Sequence, residues 1–281
     1  MPSLNFLLMA GLFALGLVLA KRSRIVTHIV GGVFVVLGFV NLALSQHPEV
    51  TTKLFPFADY VFFSDWSGFV AAFLSSASLG LARSRGDRIR ASVLSGVLLL
   101  LAVMTYAWFF TEAPALKESR FDPHGVCLQT ADTTCGPACA VTVLKKSGIE
   151  TTEKEMAELA LSRKATGTRD LGLYRALKLK AAAAGLDVSF VKLNWNELQL
   201  VPKPCIIVCV YDPDTPLTTG KELSLSWTPE VGHTVVYFGA DVNGRAIIGE
   251  PDWGLERWPR WAFDALWTGH AIVVHRGRLF E

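Results

Sequence analysis

Apolar residues are gathered along this chain into four long runs: Leu4 to Ala20, Ile25 to Ser45, about Tyr60 to Ala82, and Ala91 to Phe110. Each approaches the roughly 20 residues that carry a helix across a bilayer core. Polar stripes at helical spacing, which a soluble bundle would need, are nearly absent. The pattern therefore predicts a four-helix transmembrane region over residues 1–110. Met1 to Asn5 hold no basic residue, and Lys21, Arg22 and Arg24 follow the first run instead of preceding it, so that run reads as a retained span and not a cleaved signal.

Residues 111–126, with Pro114, Pro123 and mixed charges, break the apolar pattern and read as a linker. A domain over 127–281 follows, long enough for one core of its own. Its first helix is expected from about Cys135 to Lys146, stopping at Gly148. Thr152-x-x-Glu155 has the form of a capping box for a second helix through about Arg163, and a third runs from about Asp170 to Ala184. After Pro202 and Pro204 the period changes to that of strands: Cys205 to Tyr211, His233 to Ala240, Arg245 to Gly249 and His270 to His275. Asn243-Gly244 marks a hairpin between two of them. Helices followed by strands indicate an α+β domain with an antiparallel sheet.

Charge adds an orientation. Lys21, Arg22 and Arg24 join the first two runs, and Arg83, Arg85, Arg88 and Arg90 join the last two, while Gln46 to Asp59 has only Lys53. The positive-inside bias puts both basic loops in the cytoplasm and the domain after Phe110 outside it, in a multi-pass protein of the cell membrane. Tyr60, Phe62, Phe63 and Trp66, with Tyr106, Trp108, Phe109 and Phe110, would lie at the outer interface. Asp65 is expected at that interface, and the small residues of the third run are expected to pack helices closely. A composition of 51% hydrophobic and 19% charged residues, with mean hydropathy +0.36, fits a membrane protein. The net charge of +2 leaves no electrostatic footprint for nucleic acid.

The chemistry centres on Cys135. A thiol at a helix N-terminus gains thiolate character from the helix dipole and from a nearby imidazolium, and Gln129, six residues earlier, can aim its amide at a developing oxyanion. A thiol nucleophile needs a base, and a base needs an orienting partner. His233 follows Gly232 at the head of a strand and is the favoured base. Glu250 and Asp252 end the next strand, and either can orient the ring.

With these residues in view, 125–275 resembles the papain-like peptidase domain of the bacteriocin-processing, double-glycine leader peptidases. The matching residues are Gln129, Cys135-Gly-Pro-Ala-Cys139, Lys145-Lys-Ser-Gly148, Gly167-Thr-x-x-Leu171, Gly185-Leu186, Pro204, Gly232-His233, the Glu250-Pro-x-x-Gly254 turn and Trp267-Thr-Gly269. The resemblance implies Cys135 as nucleophile, His233 as general base and acid, and Gln129 with the Cys135 backbone N–H as oxyanion site. Its substrate would be a peptide or protein, such as a leader peptide, with no cofactor. The family usually has aspartate where this chain has Glu250. A catalytically silent binding module, and an amidase or acyl transferase of the same fold, are the rival readings. Such domains commonly head an ATP-driven exporter, but no Gly-x-x-x-x-Gly-Lys-Ser/Thr motif occurs here, so a transport partner would be a separate chain.

The five cysteines lack paired Cys-x-x-Cys spacing, and no metal site is expected. Cys205 and Cys209 lie about 13 Å apart on one strand, too far to bridge, and Cys139 is expected as a small buried hydrophobe. Cys127 is left as a candidate for pairing elsewhere. Trp253, Trp258, Trp261 and Trp267 are expected mainly as core, with a peptide-binding wall as the alternative.

Overall fold

The computed structural model describes residues 2–212, 227–228 and 230–279. The chain forms two compact units, one of residues 1–47 and 59–111 and the other of 48–58 and 112–281.

The first unit is helical: α1 (Pro2–Arg22), α2 (Arg24–Ser45), α4 (Ser67–Leu81) and α5 (Arg85–Ala107), with α3 (Pro48–Leu54) lying in the second unit. Three helices, Ser3–Arg22, Arg24–Ser45 and Arg85–Phe110, are long and apolar enough to cross a membrane, and Ser67–Leu81 is a shorter apolar helix. The third apolar run is thus not one continuous helix. It opens with a 3₁₀ turn, Ala58–Phe62, and the α-helix begins only at Ser67. The break has a polar cause: the Asn41 side chain donates to Ser64 O at 2.7 Å and accepts from Trp66 N at 3.0 Å, while Asp65 Oδ1 accepts from Ser67 Oγ at 2.6 Å. Small residues bring α1 and α4 together, and a Cβ at Gly16 would collide with Ser76 Oγ and lie 2.9 Å from Phe73 O.

The second unit contains β1 (Arg120–Phe121), β2 (Cys127–Leu128), α6 (Cys135–Lys146), α7 (Glu153–Leu159), α8 (Asp170–Ala182), β3 (Asp187–Lys192), α9 (Trp195–Leu200), β4 (Cys205–Val210), β5 (Gly232–Ala240), β6 (Ala246–Glu250), β7 (Gly254–Trp258), α10 (Arg260–Leu266) and β8 (Trp267–His275). Six strands form one antiparallel sheet in the order β3-β8-β4-β5-β6-β7. This is the α+β arrangement expected. β4 is apolar throughout because both of its faces are buried. Ile206 and Val208 join a core with Leu144, Leu173 and Leu177 from the helices, and Cys205, Ile207 and Cys209 join another with Trp258 and Phe263.

Local chemistry sets the helix ends. Thr152 Oγ1 accepts from Glu155 N at 3.1 Å, but the Glu155 carboxylate bonds Thr151 Oγ1 and Lys180 Nζ, so only half of the expected capping box forms. Helix α7 stops at Leu159, short of Arg163, and Leu161 adopts φ 60. The last strand starts at Trp267 rather than His270, its Trp267–Thr268–Gly269 lead-in pairing beyond a register shift in β4. All five cysteines, Cys127 included, are free.

Candidate active site

Cys135 is the first residue of α6, with Gly136 and Pro137 completing the opening turn. Proline is tolerated there because backbone N–H groups of a first turn have no intrahelical acceptor. The helix packs on β5, and the Cys139 thiol, one turn further on and 1% exposed, donates to Thr234 O at 3.2 Å. That contact brings the N-terminus of α6 beside His233.

Glu250 ends β6 opposite Gly254 at the start of β7, and its side chain is almost wholly buried. His233 Nε2–H donates to Glu250 Oε1 at 2.9 Å. The same oxygen accepts the Asp252 backbone N–H at 3.2 Å. Between the two acids left open by the sequence, Glu250 is the one bonded to the ring. Its carboxylate reaches the ring from the buried strand end. Among the described residues, His233, Glu250 and Asp252 are close enough to share a metal ion, with ligand atoms within 4.8 Å, and in this structure those groups form an acid–imidazole hydrogen-bond cluster.

The electrostatics belong to a coupled pair. Burial opposes ionisation of the Cys135 thiol, but the hydrogen bond and positive charge of His233, assisted by Thr234, outweigh it and hold the thiol below its ordinary value. Burial likewise disfavours charge on His233. Its hydrogen bonds to Cys135 and Glu250, and their negative charges, reverse this and raise the imidazole to about 10. With Nε2 engaged by the acid, Nδ1 is left to face the sulfur. The arrangement favours a thiolate–imidazolium pair, the form in which a cysteine is nucleophilic. Burial instead pushes the Cys139 thiol well above its ordinary value, with the nearby Cys135 and Glu250 charges adding to the effect.

Gln129 is tied to the Glu250 turn by its backbone, which donates to Pro251 O at 2.8 Å. Its side-chain Oε1 accepts no hydrogen bond among the described residues. Gln129, Cys135, His233 and Asp252 all line one cleft of about 510 Å³, together with the 165–168 loop. All the site residues expected from sequence therefore meet in one place.

Sequence reasoning passed over Trp227. Its ring lies 4.4 Å from the His233 ring, centroid to centroid, at 39°, and it lines the cleft. Of the tryptophans singled out as a possible wall, Trp258 is fully buried in the core, while Trp253 and Trp261 are exposed at 58% and 44% and none lines this cleft. Trp227 lies in no element and follows no periodic pattern, so no local signal marked it.

The Peptidase C39 family profile matches residues 124–278. The chain belongs to the Peptidase C39 family. An uncharacterized protein of Methanothermobacter thermautotrophicus is 28% identical over 151 residues, covering 54% of this chain and 88% of the relative. Among solved structures, the peptidase domain of Streptococcus ComA, a bi-functional ABC transporter involved in a quorum sensing pathway, is 25% identical, with 53% of this chain and 96% of that chain covered and a TM-score of 0.42. A double glycine motif protease from an AMS/PCAT transporter, in complex with its leader peptide, is 19% identical, with 59% and 95% covered and a TM-score of 0.41.

Proposed function

We propose that this C39 chain is a membrane-anchored cysteine peptidase acting on a peptide or protein, with a leader peptide as the first substrate class to test. The observation that carries the reading is the continuous array from Cys135 at a helix start, through His233, to the buried Glu250, with the His233–Glu250 bond at 2.9 Å. In this mechanism the Cys135 thiolate attacks the scissile carbonyl carbon, and the Cys135 N–H and the Gln129 amide receive the oxyanion. The tetrahedral intermediate collapses as His233 gives its proton to the leaving amine, leaving a thioester. His233 then takes a proton from water, which attacks the thioester and returns the thiol and a carboxylate product. No cofactor enters any step.

The domain division 1–110, 111–126 and 127–281 accompanies this reading, with the first part embedded in the lipid bilayer. Helix α4, at 15 residues, covers about 22 Å of a core roughly 30 Å thick. As a fourth crossing it relies on its aromatic approach, Tyr60 to Trp66, to complete the span at the interface. The basic loops then lie inside and the peptidase domain outside. Protease digestion of intact spheroplasts tests the orientation, since protection of the domain overturns it. Cys135→Ala tests the chemistry: cleavage is expected to vanish, and a variant that still cleaves, or that binds the peptide just as wild type does when neither protein cleaves it, rejects the peptidase reading.

A further inference from the structure

Residues 129–134, between Gln129 and Cys135, form no helix or strand, yet an oxyanion site requires its donors to be held within roughly 0.5 Å of their working positions. The loop is partly folded on itself, with Thr134 N donating to Ala131 O at 3.2 Å. The wider constraint comes from Glu153, the first residue of α7 and 0% exposed. Its Oε1 accepts from Thr130 N at 2.9 Å and from Thr134 Oγ1 at 2.6 Å, and its Oε2 accepts from Thr130 Oγ1 at 2.7 Å. Thr130 follows Gln129 and Thr134 precedes Cys135, so one carboxylate grips both ends of the loop. An acid in the first turn of a helix ordinarily faces water and complements the dipole. This one has given up hydration, which is costly unless its oxygens are met by donors, and here three donors meet them. Its own N–H donates to Ser119 Oγ at 2.9 Å, and Lys117 N donates to Thr130 Oγ1 at 3.1 Å, so the preceding linker closes over the clamp.

We infer that Glu153 is a positioning residue for the oxyanion site, acting through Thr130 and Thr134 to set the Gln129 amide against the Cys135 N–H. The inference rests on the roles proposed above for Cys135 and Gln129. Glu153 touches no reacting atom. Its removal therefore weakens stabilisation of a tetrahedral adduct without changing the reactivity of the thiol itself.

Two probes separate these effects in the full-length chain. N-acetyl-glycyl-glycinal forms a hemithioacetal whose oxygen occupies the oxyanion site, whereas iodoacetamide alkylates Cys135 without using that site. Glu153→Ala is expected to weaken aldehyde binding by about 10- to 100-fold and to leave the alkylation rate unchanged. Glu153→Gln keeps an acceptor for Thr130 N and Thr134 Oγ1, and is expected to restore binding to near wild type. Thr134→Val removes one donor at constant shape and should weaken binding in the same direction, deciding the matter if Glu153→Ala does not fold. Combining Glu153→Ala with Gln129→Ala should cost far less than the product of the single losses, because one acts through the other. Wild-type aldehyde affinity in folded Glu153→Ala or Thr134→Val, or multiplicative losses in the double variant, overturns the inference while leaving the peptidase reading intact. Absence of Cys135-dependent labelling in the wild type overturns both.

Discussion

Glu250 Oε1 accepts the His233 Nε2–H at 2.9 Å from a strand end where the acid is 1% exposed, so the ring is held by a carboxylate that water scarcely reaches. Removing that carboxylate leaves a half-buried imidazole without its carboxylate partner. Glu250→Ala is expected to lower kcat by about 100-fold or more. Glu250→Asp, which draws the oxygen back by one methylene, should cost about tenfold. Steady-state kinetics on a cleaved peptide measures both, and the ordering Ala worse than Asp is the outcome to check.

Asp252 gives Glu250 its backbone N–H, at 3.2 Å, and the His233 ring is bonded to Glu250. Asp252→Asn should therefore keep kcat within about threefold of wild type. A loss as large as that of Glu250→Ala would transfer the orienting role to Asp252.

The coupled pair predicts a distinctive pH profile. His233, raised from 6.5 to about 10, stays charged until the pH climbs through about 10, so turnover should fall on the alkaline side only there, as the proton for the leaving amine is lost. Cys135 is lowered from 9.0, so its thiolate persists below the range of an ordinary thiol and is lost only as the pH drops through the depressed value. The rate of iodoacetamide alkylation as a function of pH reads the acidic limb. In His233→Ala that limb should move up, because burial then opposes ionisation of the thiol without an imidazolium to offset it.

Trp227 lies 4.4 Å from the His233 ring and is 8% exposed. An aromatic face beside an imidazolium stabilises its charge by about 0.5–2 kcal/mol when water is excluded. Trp227→Leu should narrow the active window from both sides, raising the acidic limb of alkylation and lowering the alkaline limb of turnover by roughly half a unit or more. Trp227→Phe should retain most of the window. Unmoved limbs in a folded Leu variant would show that the ring serves packing alone.

Gly172 tests the helix packing beneath the site. A Cβ there would run into Ala160 O and lie 3.3 Å from Ala160 C, and backbone cannot swing aside as a side chain can. Gly172→Ala is expected to lower stability by about 1–3 kcal/mol or more, read as a fall in the thermal midpoint of the domain.

The order of helices and strands was legible because Cys135 to Lys146 and Cys205 to Val210 carry strong local patterns, and the Asn243-Gly244 hairpin carries its own turn chemistry. Strands β3, Asp-Val-Ser-Phe-Val-Lys, and β7, Gly-Leu-Glu-Arg-Trp, were hidden by the polarity that their edge positions allow. The break in the third apolar run depends on Asn41, a side chain from another helix, and no window along residues 60–82 contains that information. The grouping of Cys135, Gln129, His233 and Glu250 was legible through their motif surroundings. Glu153 was not, because it looked like any acid at the start of a helix. Its burial is created by residues 119–134 folding back over it, a non-local event with no sequence period.

The bond from Cys139 to Thr234 spans 95 residues of chain. Closing a loop of that size comes late in folding, after local helices have formed. The Cys135 thiol therefore leaves the ribosome as an ordinary, mostly protonated cysteine and acquires its imidazolium neighbour only when β5 docks on α6. The thiol's altered acidity thus depends on the docking of β5 on α6, and a nascent or unfolded chain carries Cys135 in a dormant form until the domain has folded.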